Sequence, residues 1–262
     1  MLEIKHLGKI YEDGTRALTD VNFEVEAGEF LVIIGLSGSG KSTLLRCINR
    51  LIEPTEGKIV WDGVDITSLD QNQLRQTRRQ IGMIFQHFNL VKRSNVLTNV
   101  LSGRLGYVNP TKTLLHRFPA KDRKMALDAL KRVGISDQAY KRADELSGGQ
   151  QQRVGVARAL MQQPRMILAD EPVASLDPVL AHNILGYLEK MNQEEGITVL
   201  CSLHYLDLVQ RYASRVIGLR DGKIVYRGSK KDILKMTDVQ FREIYGEEAV
   251  RVSAGFQDKE KE

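Results

Sequence analysis

Short apolar runs separated by turn-forming residues occupy the first sixty positions of the chain. Residues 2–6 and 21–25 read as amphipathic strands, and residues 30–34 form an apolar strand entering a glycine-rich loop. In the segment after that loop Leu44, Ile48 and Leu51 fall at i, i+4 and i+7, which predicts a helix with one buried stripe. Pro54 and Gly57 close the connection, a strand resumes over 58–61 with a turn at Asp62-Gly63, and 81–85 reads as another strand. From about 88 to 145 the texture changes: no run reads convincingly as a strand, and Leu127, Leu130 and Val133 have helical spacing, which predicts a helical insertion. Strand and helix then alternate: a strand over 166–169, a helix carrying Leu180, Ile184, Leu188 and Met191, and strands over 197–201 and 216–219. Asp221-Gly222 signals a hairpin into 224–226. Such alternation predicts an α/β fold with a mostly parallel sheet covered by helices on both faces.

Composition narrows the class. With 262 residues, 42% of them hydrophobic, the chain suits one α/β domain with an inserted subdomain and a sizeable core. The start reads as strand and turn rather than a charged segment before an apolar one, and predicts a cytoplasmic protein. No apolar stretch reaches the roughly 18 to 20 residues a membrane helix needs, so any membrane role must come through a partner. Cys47 and Cys201 have neither metal-ligand nor disulfide-framework spacing and read as buried, reduced thiols. A net charge of +5 could suit nucleic acid or an anionic surface. The basic residues are nevertheless dispersed, with only short groups such as Arg75, Arg78, Arg79 and Lys230, Lys231, so no nucleic-acid partner is expected.

The candidate chemistry begins at the glycine loop. Gly35-Leu36-Ser37-Gly38-Ser39-Gly40-Lys41-Ser42 matches G-x-x-x-x-G-K-[ST] between an apolar strand and a periodic helix, the context a phosphate-binding loop requires. Its glycines let successive backbone N–H groups and the helix N-terminus face β and γ phosphates. Lys41 adds a positive charge, the Ser42 hydroxyl is a magnesium ligand, and Thr43 belongs to the same nucleotide-binding set. The strand over 166–169 delivers Asp170 and Glu171 to its carboxyl end, where open α/β sheets bind ligands. Asp170 suits a magnesium site and Glu171 suits polarising an attacking water, although an acidic pair alone could be an exposed strand end.

Leu146-Ser147-Gly148-Gly149-Gln150 resembles the signature of the ABC ATPase family. Ser147 can cap a helix whose early N–H groups, freed of side-chain bulk by Gly148 and Gly149, form a second anion site. The resemblance implies that this second cradle completes the nucleotide site of an opposite subunit, in a head-to-tail homodimer formed on ATP binding. It further implies that Gln86 reaches magnesium and water, that His204 contacts the γ phosphate and holds Glu171, and that Tyr11 stacks on adenine. Ser175-Leu176-Asp177 matches the loop through which subunits sense each other, and Asp177-Pro178 equally suits a helix cap. A histidine or tyrosine at such strand ends could also be a plain surface residue. The likeness spans about 2–245, departing at the variable Leu36 and at Ser202-Leu203, where threonine is often the neighbour of the histidine.

The resemblance implies a P-loop ABC ATPase core with an N-terminal antiparallel β part, spanning 1–248, a helical subdomain inserted at about 88–160, and a polar tail over 249–262. ATP and Mg²⁺ are the expected cofactors. A single core without a coiled-coil interruption or membrane segment resembles the separate ATPases of importers. Such a subunit docks integral-membrane permease subunits at the cytoplasmic face, through 87–107, and meets the substrate-binding protein only indirectly. Intact Glu171 and His204 disfavour a regulatory module that binds ATP without hydrolysis. Residues 88–106, Arg132-Val133-Gly134 and 169–178 look like the corresponding parts of phosphonate importer ATPases. Amino-acid and methionine importers share Gln86-His87-Phe88-Asn89-Leu90 and remain alternatives, as does a non-transport ABC ATPase.

Overall fold

The computed structural model describes residues 1–108 and 118–246. Strands β1 (Leu2–Ile10), β2 (Arg16–Val25) and β3 (Phe30–Ile34) lead to helix α1 (Lys41–Ile48), followed by β4 (Glu56–Trp61), β5 (Val64–Asp65), α2 (Gln71–Arg78) and β6 (Ile81–Ile84). Next come α3 (Val96–Leu101), α4 (Ala120–Arg132) and α5 (Gly148–Leu160). The remainder is β7 (Met166–Ala169), α6 (Pro178–Glu195), β8 (Thr198–Ser202), α7 (Leu206–Tyr212), β9 (Arg215–Arg220), β10 (Lys223–Ser229), α8 (Lys230–Leu234) and α9 (Asp238–Tyr245).

Two sheets result. A six-stranded sheet runs β10-β9-β3-β8-β7-β6, parallel throughout except for the β9–β10 hairpin. At its turn Asp221 and Gly222 take φ of 49° and 73°, the two left-handed residues that a tight hairpin turn demands. An antiparallel sheet, β2-β1-β4-β5, stands against it. Every residue of β3 is buried, as a central parallel strand requires. Its alternation divides the core: Phe30, Val32 and Ile34 face the layer built by α3 to α7, while Leu31 and Ile33 face α1 and the antiparallel sheet. Cys47 and Cys201 are buried free thiols, one in each half.

The described residues between 88 and 160 form helices and loops, with α3, α4 and α5 packed on one another and only an isolated bridge between Asn95 and Arg142. The tail over 249–262 lies outside the described residues. No described helix is long and apolar enough to cross a membrane.

Four local expectations are corrected. Leu44 and Ile48 are buried, but α1 ends at Ile48 and Leu51 is 50% exposed. The chain leaves the helix through Arg50, whose φ is 53°, and Ile52 N–H returns to the Arg46 carbonyl, so Leu51 is thrown outward. Gly57 lies inside β4 rather than in the connection, at the register shift between β1 and β4, where its φ of 87° and a Cβ that would fall 2.3 Å from the His6 carbonyl oxygen leave room only for glycine. Strand β6 stops at Ile84, one residue short of Phe85. Leu127 and Leu180 are only half-buried, while Leu130, Val133, Ile184, Leu188 and Met191 are in the core.

Candidate functional site

The loop between β3 and α1 is shaped by its glycines. Gly35 takes φ 147° and Gly40 φ 104°, and a Cβ on either would meet a backbone oxygen, Leu219 O at 2.2 Å or Ala17 O at 2.6 Å. The chain therefore passes between β9 and β2 only where no side chain exists. Gly40 is the N-cap of α1 and no side chain caps that helix, so its first N–H groups lack intrahelical acceptors and face outward as anion donors. Gly35→Ala should cost about 1 to 3 kcal/mol by overpacking and remove nucleotide binding with it. Thermal melting and fluorescent-nucleotide titration test this, and an unchanged melting curve would contradict the backbone collision.

Lys41 is only 3% exposed. Its Nζ donates to the carbonyls of Gly35 at 2.8 Å and Leu36 at 2.7 Å and lies 3.8 Å from Glu171 Oε1. Burial lowers its pKa, against the opposing pull of the Glu171 and Asp170 carboxylates. The strand pairing of β7 between β6 and β8 carries those two carboxylates to the same end of the sheet as the loop.

Asp170 and Glu171 are neighbours in sequence with different surroundings. Asp170 is fully buried: Oδ1 accepts from Ser42 Oγ at 2.7 Å and from Ser202 Oγ at 3.5 Å, and Oδ2 accepts from Arg46 Nη2 at 2.9 Å. Glu171 turns away with a left-handed backbone, φ 47°, an uncommon conformation for a side chain of this size. Its N–H donates to Ser202 Oγ at 2.8 Å, and its Oε1 lies 2.5 Å from His204 Nε2. One carboxylate is thus locked and the other aimed into a cleft.

That cleft, about 350 Å³, is lined by Tyr11, Thr15, Arg16, Ala17, Ser37, Gly38, Gly40, Lys41, Ser42, Thr43, Gln86 and Glu171. Tyr11 Oη lies 3.1 Å from Thr43 Oγ1, with one face of its ring 5.4 Å from Lys9 Nζ. Gln86, just past β6, enters from the opposite side of the sequence. Ser39 does not line the cleft, being packed inside the loop.

The other sequence candidates lie elsewhere in the chain. Ser147 caps α5, accepting from Gln150 N–H at 3.4 Å, while Gln150 Oε1 accepts from Ser147 N–H at 3.0 Å. Gly149 packs so closely that a Cβ would lie 2.5 Å from Leu180 Cδ1, and Gly148 has only the Phe88 ring within 4 Å. Asp177 caps α6, accepting from Leu180 N–H at 3.0 Å, with Pro178 in the first turn. None of Ser147, Gly148, Gly149, Gln150 or Asp177 lines the cleft of its own chain.

Arg46 and Ser202 escaped the motif reading, yet Arg46 holds Asp170 and Ser202 touches both Asp170 and Glu171. Arg46 lies at i+4 from Ser42, one turn along the same face of α1, which is the signal that could have found it. Ser202 ends β8 beside β7, and pairing those two strands would have placed its hydroxyl between Asp170 and Glu171.

Residues 18–174 match the family model described as ABC transporter. The chain is 51% identical over 246 residues to the phosphonates import ATP-binding protein PhnC 3 of Halalkalibacterium halodurans, covering 94% of each chain. It is 53% identical over 249 residues to the phosphonates import ATP-binding protein PhnC of Bacillus thuringiensis, covering 95% of this chain and 96% of that one. Among solved structures, it is similar to the dimeric post-hydrolysis state of the ATP-binding cassette MJ0796 bound to ADP and Pi. The TM-score is 0.79 at 37% identity, covering 88% of this chain and 99% of that one. It is likewise similar to cbiO1 from Clostridium perfringens, part of the transporter complex cbiONQ, with a TM-score of 0.76 and 32% identity over 91% of this chain and 92% of that one.

Proposed function

The chain belongs to the ABC transporter family, and from that premise we propose that it is the ATP-hydrolysing subunit of a phosphonate importer. The observation that carries the hydrolytic part is the convergence of Lys41, Ser42, Gln86 and Glu171 on one cleft, with Asp170 locked beneath it. The phosphonate part is supported by relatives of that name at 51 to 54% identity over nearly the whole chain.

In this reading the phosphates lie against the loop N–H groups and the N-terminus of α1, with Lys41 as their cation and Tyr11 against the base. Ser37, Gly38, Ser39, Gly40 and Thr43 shape that cradle. Glu171 accepts a proton from the attacking water as the water oxygen bonds to the γ phosphorus and the bond from that phosphorus to the bridging oxygen breaks, so that ADP leaves and phosphate is formed, and His204 holds the carboxylate in place. Magnesium, when bound, neutralises phosphate charge. The donor set fits a hard cation: Ser42 Oγ and Asp170 Oδ1 are oxygen donors 2.7 Å apart, and Gln86 lines the same cleft as Ser42. Among the described residues no cluster of three or more acidic, histidine or cysteine side chains could hold a metal unaided. That suits magnesium, which is commonly held by one or two protein groups together with substrate phosphates and water.

The signature residues reach a nucleotide only across an interface, because they do not line their own cleft. Head-to-tail pairing of two copies would set Ser147, Gly148 and Gly149 against the partner's nucleotide, and Asp177 beside the same interface. The permease then anchors the chain at the cytoplasmic face and the substrate-binding protein acts through that permease.

The cargo is tested by deleting the gene in a strain without other phosphonate importers. Growth on a phosphonate as sole phosphorus source should fail, growth on phosphate should not, and complementation should require Glu171. Unimpaired phosphonate growth would leave the ATPase reading standing and return the cargo to amino acids or methionine.

A further inference from the structure

Two cations, Lys41 and Arg16, line the ATP cleft among the described residues, and the chemistry above uses only the first. Lys41 is committed to the carbonyls of Gly35 and Leu36 and stands near Glu171. Arg16 forms one ion pair among the described residues, its Nη1 lying 3.8 Å from Glu56 Oε1. That separation is beyond hydrogen-bond distance, and the two side chains are 53% and 56% exposed, so little holds the pair together. The guanidinium is therefore a charge at the rim of an anion site with no strong claim on it.

The turn joining β1 to β2 sets where Arg16 stands. Tyr11 N–H donates to the Thr15 carbonyl at 2.9 Å, Gly14 N–H to the Tyr11 carbonyl at 3.0 Å and Thr15 N–H to Asp13 Oδ1 at 2.9 Å. Arg16 then pairs with Ile10 across the two strands, so one closed turn fixes the backbones of Tyr11 and Arg16 together. On its other side β2 touches the phosphate loop, since Ala17 O is the atom that a Cβ on Gly40 would meet at 2.6 Å. Tyr11 Oη, 3.1 Å from Thr43 Oγ1, approaches the same gap from α1. Arg16 thus stands between the ring assigned to the base and the helix N-terminus assigned to the phosphates. With the β and γ phosphates at the loop and Lys41, a nucleotide laid from Tyr11 to Lys41 brings its α phosphate to this gap. Glu56 is seated to meet the arginine there: it pairs with Gly8 of β1, and its carboxylate lies where any Cβ on Gly8 would overlap it.

We propose that Arg16 is a nucleotide-binding residue that swings from Glu56 onto the α phosphate of ATP or ADP, with Glu56 as the internal competitor for its guanidinium. The inference rests on the ATPase reading above and adds one contact to its site. The exchange is favoured by charge and by shape. Either nucleotide carries more negative charge than one carboxylate, and a guanidinium meets a phosphate with two parallel N–H donors. A contact to the α phosphate acts on ATP and ADP alike, which separates it from any group that senses only the γ phosphate.

The test titrates the full chain with Mg-ADP and with the 2′-deoxy form of ADP by calorimetry. Arg16→Ala should weaken ADP binding about three- to tenfold, and Arg16→Glu at least about tenfold. Arg16→Lys keeps the charge without the planar fork and should recover most of what Arg16→Ala loses. The deoxy nucleotide should lose affinity by the same factor as ADP, and the KM for ATP should rise with it. Glu56→Gln should do the opposite, tightening ADP about two- to threefold, and this gain should disappear when Arg16 is already Ala. A gain of affinity does not arise from a damaged fold, and the melting temperature of each variant without nucleotide should stay within about 2 °C of wild type. Unchanged ADP affinity in Arg16→Glu would overturn the proposal. Loss for ADP with the deoxy nucleotide spared would assign Arg16 to the ribose, and a raised KM for ATP with ADP spared would assign it to the γ phosphate; either overturns it. If wild type bound neither nucleotide, the ATPase reading itself would fall, and this inference with it.

Discussion

Glu171→Gln should lower ATP turnover by about 10² to 10⁴ while nucleotide binding persists, the usual weight of a general base. The substitution keeps the shape of the side chain and takes away its ability to accept the proton of water. What positions the residue survives it: the left-handed backbone and the bond from Glu171 N–H to Ser202 Oγ belong to the main chain, and an amide oxygen can still meet His204 Nε2. Lys41 and Ser42 remain to hold phosphates. With hydrolysis blocked, a nucleotide held between two copies keeps them together by mass action, so the variant should elute as a dimer with Mg-ATP and as a smaller species without it. Phosphate release at saturating ATP and size-exclusion chromatography read the two effects. Turnover within about threefold of wild type would remove Glu171 from the base role. A variant that stayed monomeric at high concentration would remove the shared-site arrangement from the isolated subunit.

The parts of this site legible in the sequence are those written in contiguous residues. A strand, a glycine loop and a helix in immediate succession leave little choice about where Lys41 and Ser42 stand, and four apolar residues before Asp170 deliver it to a strand end. Parallel pairing of β3, β8, β7 and β6 brings Glu171 and Gln86 beside the loop, and no local pattern reveals which strands will be neighbours. Ser202 illustrates the difficulty, since its hydroxyl matters only because β8 lies against β7, 31 residues away from Glu171 in sequence. Arg46 belongs to no motif, although it holds the buried Asp170. Leu51 shows the reverse failure: its spacing continues the apolar stripe of α1, but the turn at Arg50 ends the helix first. Periodicity cannot see a capping turn made by contacts from α2, such as the grip of Arg78 on the Asn49 and Arg50 carbonyls. The proposed second anion cradle rests on a glycine-rich helix start and on a family likeness. In the folded chain Ser147 and Gln150 complete a capping box, and nothing in one copy brings them to the nucleotide cleft.

Lys41→Met should lower turnover by about 10² to 10³, the loss seen when one preorganised donor to a developing charge is removed, and should weaken nucleotide binding. Met retains much of the length and volume of lysine, so the loop between β3 and α1 need not collapse. The stability effect is a balance of two opposed contributions. Losing Nζ leaves the Gly35 and Leu36 carbonyls without their donor, at about 1 kcal/mol each, and relieves the desolvation of a buried ammonium. The sign of the pH dependence separates them. Because burial lowers the folded pKa of Lys41 below its ordinary value, the unfolded chain binds the extra proton between those two values. Wild-type stability should therefore rise relative to Lys41→Met as pH climbs through that window, since the penalty for charging the buried group disappears once the folded form is neutral. Below the folded pKa the difference between the two proteins should be constant. Denaturant titrations of both proteins at several alkaline pH values, with nucleotide affinity measured at neutral pH, make the comparison. A wild type that lost stability relative to Lys41→Met across the same window would mean that the Glu171 and Asp170 carboxylates, and not burial, dominate the lysine.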